Sequence, residues 1–369
     1  MNKTNNILIC PLEWGLGHAA RMIPLARKLR EMNNNIFIGS GEEHLSLFRN
    51  ELPGLSYIKF TGFKPGYSHF LPQYLALFLR IPVLLYHIIL EHFRLKRIIR
   101  EHAIDIVISD NRFGLWNRNI TTVYVTHMPL IPLPKALRFL EFIGIILHRA
   151  VIKKYSLCFI PDLPGELNVS GRLSHGIKLP GNVRYTGILS RFITYGPSPH
   201  ENPIIFRHNT VILSGPEPQR EILKHKLVTL LKDKKPITVM LEGKPGKTSE
   251  IVRSGNITFY NHLPNSEMRE MITGSESIIT RSGYSTIMEL ISLNCSALLI
   301  PTPGQTEQEY LAEYLSENRW FTTISQGEIK AGISLPSNKA IWSDEIIEQS
   351  KILLTEALKE LLEKHHKKG

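Results

Sequence analysis

The sequence T-R-S-G-Y-S-T-I-M-E-L at residues 280–290 organises the second half of this chain. The apolar run just before it, Ser277–Ile279, predicts a short buried strand, and the spacing of Ile287, Leu290 and Ile291 predicts a helix after it. The polar residues between them therefore lie where a strand passes into a helix N-terminus. Free backbone N–H groups and the helix dipole favour an anion there, most naturally a phosphate. An ordinary capped helix with a solvated glutamate is the alternative.

A second unit of the same kind follows. Leu298–Ile300 predicts a strand, residues 301–310 form a loop rich in Pro, Gly and uncharged hydrogen-bonding side chains, and a helix continues through Leu311 and Leu315. Such a loop at the carboxyl end of a sheet strand is typical of a ligand-binding site in an open α/β sheet. Two consecutive loops of this kind predict a crevice.

Together, R-S-G-Y-S-T-I-M-E-L and I-P-T-P-G-Q-T-E-Q-E-Y resemble the donor half of the GT-B glycosyltransferases, specifically the MurG-like group of family 28. The resemblance is most specific over residues 275–315 and is compatible with nearly the whole chain. It implies an α/β fold of two doubly wound parallel-sheet, Rossmann-like domains that face a central cleft. It implies that the donor is bound by Arg191, Ser214, Gly215, Arg281, Ser282, Gly283, Thr286, Glu289, Gln305, Glu307 and Gln308, with Glu289 on the ribose and Glu307 and Gln308 on the sugar.

Length and composition agree with two domains. The chain has 369 residues, of which 43% are hydrophobic and 21% charged, so wholesale disorder is disfavoured. We predict an acceptor-binding, membrane-associating domain at 1–195, a donor domain at 203–340, and a final helix at 341–369 that crosses back to the first domain. The Pro- and Gly-rich run between the domains predicts a linker. The three cysteines are far apart in apolar runs, which predicts buried residues in a reducing compartment.

The first loop of the chain carries the candidate base. Strand Ile7–Cys10 is followed by G-L-G-H at residues 15–18 and a helix. The spacing also matches a dinucleotide fingerprint, but the second strand ends in Gly39–Gly41 without the acidic residue that a nicotinamide or flavin site needs. The resemblance instead implies that Gly15 and Gly17 face the acceptor and that His18 is the general base. A histidine bonded within its own loop is the alternative.

Two further polar residues end strands of the first half. Asp110 closes the strand that begins at Ile104, and His127 closes the strand that begins at Thr122. Ligands bind at the carboxyl ends of such strands, so both are candidates for the acceptor side. Met128 departs from the polar residue usual in the family, and a purely structural role for either residue stays open.

The excess positive charge lies entirely in the first half. Residues 1–190 hold 23 Lys and Arg against 12 Asp and Glu, whereas residues 191–369 hold 21 of each, so an anionic partner is expected for the first half alone. Residues 71–100 and 135–154 combine bulky apolar with basic side chains, which suits an anionic bilayer surface. Buried helices with solvated basic ends are the alternative. We predict no nucleic-acid partner, since no basic run interleaved with aromatic residues is present.

These observations predict an inverting glycosyltransferase that moves a sugar, with N-acetylglucosamine as the first candidate, from a UDP-sugar to a lipid-linked or cell-envelope glycan acceptor. The chain shows no signal peptide and no apolar run of spanning length, so we expect a cytoplasmic protein peripheral to the inner face of the plasma membrane. No Asp-x-Asp strand end is present, and we predict no metal and no cofactor beyond the donor. A nucleotide-sugar 2-epimerase and a non-catalytic nucleotide-sugar-binding subunit are the alternatives.

Overall fold

The computed structural model describes residues 4–64, 73–193, 207–215, 217–244, 250–330, 333–338, 342 and 344–368, apart from the side chains of Gln73, Tyr74 and Leu77. The predicted linker lies outside these residues, as do Leu71–Pro72, Pro216, Pro245–Gly246 and Ser343. The predicted domain boundaries therefore stay predictions.

The first half is built on one parallel sheet. Its strands are β1 (Asn6–Cys10), β2 (Asn35–Ser40), β3 (Ser56–Lys59), β4 (Ile106–Asp110), β5 (Thr121–Val125), β6 (Leu157–Ile160) and β7 (Val183–Tyr185). Its helices are α1 (Leu16–Glu31), α2 (Glu42–Glu51), α3 (Gln73–Leu79), α4 (Ile81–Glu101) and α5 (Glu141–Ile152), with a 3-10 turn at Lys135–Leu140. The strand order over the described residues is β3-β2-β1-β4-β5-β6-β7. Because β1 pairs with β4, the loops that follow these two strands meet at one edge of the sheet.

The second half repeats this architecture. Its strands are β8 (His208–Ile212), β9 (Ile237–Leu241), β10 (Ile251–Ser254), β11 (Ile257–Tyr260), β12 (Ser277–Thr280), β13 (Leu298–Leu299) and β14 (Thr322–Thr323). Its helices are α6 (Gln219–Leu231), α7 (Asn265–Thr273), α8 (Tyr284–Ser292), α9 (Thr306–Glu317) and α10 (Asp344–His366). The described strands lie in the order β10-β11-β9-β8-β12-β13-β14, and β10 is antiparallel to β11. The predicted α/β fold with two Rossmann-like domains is confirmed.

The connection between strand β12 and helix α8 follows the predicted pattern. Strand β12 ends at Thr280, helix α8 begins at Tyr284, and the predicted apolar positions Ile287, Leu290 and Ile291 are all buried. Burying that stripe against the sheet leaves the N-terminus of α8 at the carboxyl edge of the strands.

Helix α10 joins the two halves. Its side chains Leu354, Leu358 and Leu361 belong to the same apolar cluster as Ile7 and Val125 of the first sheet. The helix extends to His366, one turn beyond the predicted end at Leu362. The basic residues of that last turn stabilise the helix, because positive charge interacts favourably with the negative end of the helix dipole.

The three cysteines, Cys10, Cys158 and Cys295, are buried. In the part of the chain that the structure describes, no helix combines the length and the apolarity needed to cross a membrane.

Candidate active site

His18 and Asp110 form a direct pair at the edge where the loops after β1 and β4 meet. The Nδ1 atom of His18 lies 2.8 Å from Oδ2 of Asp110. An ionised carboxylate can only accept, so Nδ1 carries the proton and Nε2 presents its lone pair. Among the described residues Nε2 has no hydrogen-bond partner, and the side chain of His18 is 14% exposed. This is the arrangement that a general base requires.

The electrostatics of the pair favour a neutral imidazole beside an ionised carboxylate. Burial lowers the pKa of His18, and the nearby Arg21 charge lowers it further, whereas Asp110 opposes both effects. Burial alone would raise the pKa of Asp110, but the Arg21 charge and the hydrogen bonds from His18 and Arg21 hold that pKa below its ordinary value. The imidazole can therefore accept a proton at neutral pH.

Arg21 lies beneath this pair, one turn along α1, and is 1% exposed. Its Nε donates to Asp110 Oδ2 at 3.1 Å, and its Nη2 contacts Asp110 Oδ1. Its Nη1 lies 3.0 Å from Nδ1 of His127, near the start of the loop after β5. No role for Arg21 was predicted from the sequence. The available signal was its position three residues after His18, on the same helix face, within an otherwise apolar set.

His127 joins the first domain to the second. Its Nε2 lies 2.8 Å from Oε1 of Glu307 in the first turn of α9. Its ring stacks on Tyr284, with centroids 4.2 Å apart and planes 8° from parallel, and the hydroxyl of Tyr284 donates to the carbonyl of Pro161. Burial alone would raise the pKa of Glu307, but His127 holds it below its ordinary value. A predicted acceptor-side residue and a predicted donor-side residue are thus in contact.

The N-termini of α1 and α8 also meet between the domains. A Cβ added to Gly17 would lie 3.0 Å from the side chain of Ser285, so glycine permits this close approach. The preceding Gly15 has a φ of +72°, in the region that favours glycine. Two positive helix ends therefore point into one region of the cleft, an arrangement suited to a polyanion.

The predicted phosphate site at the start of α8 is open. We call it the phosphate cradle, and it comprises the loops that hold Gly215 and Gly283. Gly283 is the N-cap of α8, and the first helical bond runs from Ile287 N–H to Gly283 O, so the N–H groups before it lie outside the helical ladder. A Cβ added to Gly283 would meet nothing within 4 Å, and neither would one added to Gly215, whose φ is +92°. Ser214 and Thr286 beside these glycines are partly exposed. The two loops leave space for a ligand at the positive helix end.

Arg191 and Glu289 are paired at the side of this cradle. The Nε of Arg191 donates to Oε1 of Glu289 at 2.7 Å, and Nη2 contacts the sulfur of Met268. Both side chains are about nine-tenths buried. The structure thus brings together Arg191, predicted to bind the donor, and Glu289, predicted to bind its ribose, and both roles stay predictions.

Another predicted donor residue, Arg281, holds the loops together from inside the domain. The guanidinium of Arg281 is fully buried and donates to the carbonyls of Ile300, Pro301 and Gln219 and to the side chain of Gln326. These bonds hold the loops after β12 and β13 to each other.

The remaining donor-loop residues are tied to the same loops. Ser282 Oγ donates to the carbonyl of Gln308, and Gln308 Oε1 accepts from Thr302 N at 2.9 Å. Gln305 is the N-cap residue of α9. Direct contact of these residues and of Arg281 with the donor stays a prediction. Among the described residues, no group of three or more His, Cys, Asp or Glu side chains could hold a metal ion.

Comparison with known proteins connects this geometry to a reaction. Residues 234–336 match the model of the glycosyltransferase family 28 C-terminal domain. An uncharacterized glycosyltransferase of Methanosarcina acetivorans is 26% identical over 336 residues, which cover 84% of this chain and 83% of that protein. A UDP-N-acetylglucosamine–N-acetylmuramyl-(pentapeptide) pyrophosphoryl-undecaprenol N-acetylglucosamine transferase of Desulforudis audaxviator is 35% identical over 80 residues, 21% of each chain.

Solved structures extend the likeness to the whole chain. The glycosyltransferase SnogD from Streptomyces nogalater superposes with a TM-score of 0.57 at 13% identity, covering 99% of this chain and 98% of that one. The spinosyn rhamnosyltransferase SpnG in complex with thymidine diphosphate has a TM-score of 0.57 at 12% identity, with coverage of 98% and 95%. These likenesses identify the fold as GT-B.

The protein is a GT-B glycosyltransferase. The resemblance of its second domain to the MurG-like family 28 group is confirmed, and a nucleotide-sugar donor and an acceptor follow from the family. Within the glycosyltransferase, the predicted residues His18, Asp110, His127 and Glu307 lie in one continuous network, and Arg21 is the member that sequence analysis missed.

Proposed function

We propose that this glycosyltransferase transfers a sugar from a UDP-sugar, with N-acetylglucosamine as the first donor to test, to a lipid-linked acceptor at the cytosolic face of the plasma membrane. Inversion at the anomeric carbon and independence from metal ions are part of the proposal. The observation that carries it is the location of the His18–Asp110 pair in the same domain as two exposed apolar and basic helices.

The proposed step is a single displacement. Nε2 of His18 accepts the proton of the acceptor hydroxyl, whose oxygen attacks the anomeric carbon as the bond to UDP breaks on the opposite face. The configuration therefore inverts, UDP leaves with the bonding electron pair, and the proton stays on His18. Asp110 stabilises the resulting imidazolium through Nδ1–H.

The leaving diphosphate is assigned to the open cradle at Gly283 and Gly215. N–H groups at the start of α8 and the positive dipole end offset the charge that develops on UDP. The second carboxylate oxygen of Glu289 is assigned to the ribose hydroxyls, since Arg191 holds the first. Glu307 is assigned to the donor sugar hydroxyls, in place of or beside its contact with His127.

The membrane part of the proposal is supported by large apolar side chains that face solvent on α3, α4, α5 and the turn before α5. Phe78, Phe93, Phe139 and Leu147 are each more than 60% exposed. Contiguous exposed apolar surface of this kind marks an interaction site. Trp116 links the two regions, because its ring contacts His92 of α4 and lies under the ammonium of Lys154 just after α5.

Basic residues lie on the same elements as these apolar side chains or directly beside them in sequence, as expected for a face that meets anionic lipid. They are Arg80, Arg94, Lys96, Arg97, Arg100, Lys135, Arg138, Arg149, Lys153 and Lys154. An ion pair ties helix α4, which carries part of this surface, to the loop that follows Asp110. Nη2 of Arg112, two residues after Asp110, lies 3.3 Å from Oε1 of the buried Glu91 in α4. An acceptor whose lipid stays in the bilayer could therefore present its head group to His18.

The proposal is tested with vesicles that contain anionic lipid and a polyprenyl-phosphate-linked sugar, incubated with radiolabelled UDP-sugars. We expect label in the lipid phase, UDP in solution, and neither with His18→Ala. Label that stays with free nucleotide in an isomerised sugar would establish an epimerase instead. Donor binding without UDP release for any vesicle or soluble glycan would establish a binding subunit.

A further inference from the structure

The buried Arg21 in α1 contacts three ionisable side chains of the site at once. Its guanidinium reaches both oxygens of Asp110 and the Nδ1 atom of His127, and Nη2 lies 2.9 Å from Nδ1 of His18. A guanidinium only donates hydrogen bonds, and it stays charged in proteins. Its contacts with Asp110 and His127 therefore require an acceptor at each of these partners.

These constraints give the two histidines opposite proton positions. His18 must carry its proton on Nδ1, because the carboxylate at 2.8 Å accepts and cannot donate. Arg21 Nη2 then lies beside that N–H without a hydrogen bond to it. His127 must accept at Nδ1, because Arg21 donates there, so its proton is on Nε2, directed at Glu307 Oε1.

We propose that Arg21 is a positioning residue that fixes the two histidines in opposite tautomers and thereby ties the base on the acceptor side to the carboxylate on the donor side. The inference rests on the proposed role of His18 as the base. Arg21 touches neither reacting atom in this arrangement and acts through Asp110 and His127.

The charge of the network supports this role. With the hydrogen positions assigned above, the charges lie on Asp110, Glu307 and Arg21, so the network carries one net negative charge before transfer. Uptake of the acceptor proton by His18 brings it to zero. Without Arg21, two buried carboxylates would face each other through the histidines, and one would be driven to bind a proton.

Lysine cannot reproduce the arrangement. An ammonium is a compact charge with flexible donors, whereas the planar guanidinium holds Asp110 through two N–H groups while a third points at His127. Arg21→Lys therefore keeps the charge and removes the geometry. This makes it the variant that separates positioning from simple charge balance.

The first measurement assigns the histidine tautomers by long-range ¹H–¹⁵N NMR correlation on the full chain, without donor or acceptor. In the wild type we expect the proton on Nδ1 of His18 and on Nε2 of His127. The opposite tautomer at His127 would overturn the proposal. This measurement needs no variant and no substrate, so it stands even if Arg21→Lys does not fold or the assigned donor and acceptor are wrong.

The second measurement compares Arg21→Lys with Arg30→Lys, an exposed control on the same helix whose Nη1 donates to the carbonyl of Pro53. For Arg21→Lys we expect mixed tautomers at His127 and a fall in kcat of about 10- to 1,000-fold, which is part of the roughly 100- to 10,000-fold that general base catalysis supplies. For Arg30→Lys we expect neither. Unchanged tautomers in Arg21→Lys, or changed tautomers with unchanged kcat, would each overturn the proposal.

Discussion

Nε2 of His127 and Oε1 of Glu307 lie 2.8 Å apart, although 180 residues separate them in the chain. His127 follows a strand of the first sheet and Glu307 begins a helix of the second domain, so the contact closes one wall of the cleft. It places a residue predicted for the acceptor side and a residue predicted for the donor side within one hydrogen-bonded network.

Glu307→Gln should weaken the closure of the two domains. His127 holds the pKa of Glu307 below its ordinary value, so the carboxylate stabilises the contact above the unfolded-state pKa, and this contribution is lost as pH falls through the folded-state value. We expect a loss of about 1.5–3 kcal/mol at pH 7, the usual contribution of a hydrogen bond to a charged group. Denaturant titration at pH 7 and at pH 4 measures it. An equal loss at both values would contradict the assignment.

The activity of the glycosyltransferase should persist below pH 6.5. Burial and Arg21 lower the pKa of His18, so the neutral base survives to a lower pH than an ordinary histidine would, and the acid limb of kcat/KM should fall below 6.5. Asp110 is the group that raises this pKa, so Asp110→Asn should move the limb further down as well as reduce kcat. If the acid limb of the pH profile lies at the same pH in Asp110→Asn as in the wild type, a group other than His18 controls it.

Gly283→Val should impair donor binding without harming the fold. The φ of Gly283 is −73°, which any residue can adopt, and a Cβ there meets only open space. If the diphosphate occupies that space, the donor KM should rise at least about tenfold, a loss of about 1.4 kcal/mol of binding. Gly165→Val is the matched control, since that glycine also has open space and lies outside the site. Equal donor KM values in both variants would contradict the assignment of the diphosphate to the cradle.

Phe139→Glu combined with Leu147→Glu should abolish binding to anionic vesicles. Each exposed side chain would contribute about 1.5–3 kcal/mol if buried in the bilayer, and each new carboxylate would be repelled by the lipid charge. Ile251→Glu is the control, because Ile251 is 57% exposed but lies in the donor domain. Co-sedimentation with vesicles measures the effect. Retention of the double variant on vesicles would show that the membrane contact lies on another part of the protein.

Much of the architecture followed from local patterns. The apolar spacing around Ile287 and Leu290 is a property of a few adjacent residues, and it predicted β12, α8 and the loop between them closely. The glycines at 15, 17 and 283 and the strand-end positions of Asp110 and His127 were also visible, because loops at the carboxyl ends of parallel strands gather at one edge.

The sequence alone thus determined the two-domain α/β fold, the glycosyltransferase resemblance and most of the residues that border the cleft, since periodicity and strand-end position are local. Tertiary structure alone decided how these residues pair. Arg21 gained its partners from residues 89 and 106 positions later in the chain, and Arg281 turned inward to loop carbonyls. A buried guanidinium must satisfy its donors with whatever acceptors the packing brings within reach, and those acceptors are distant in the chain.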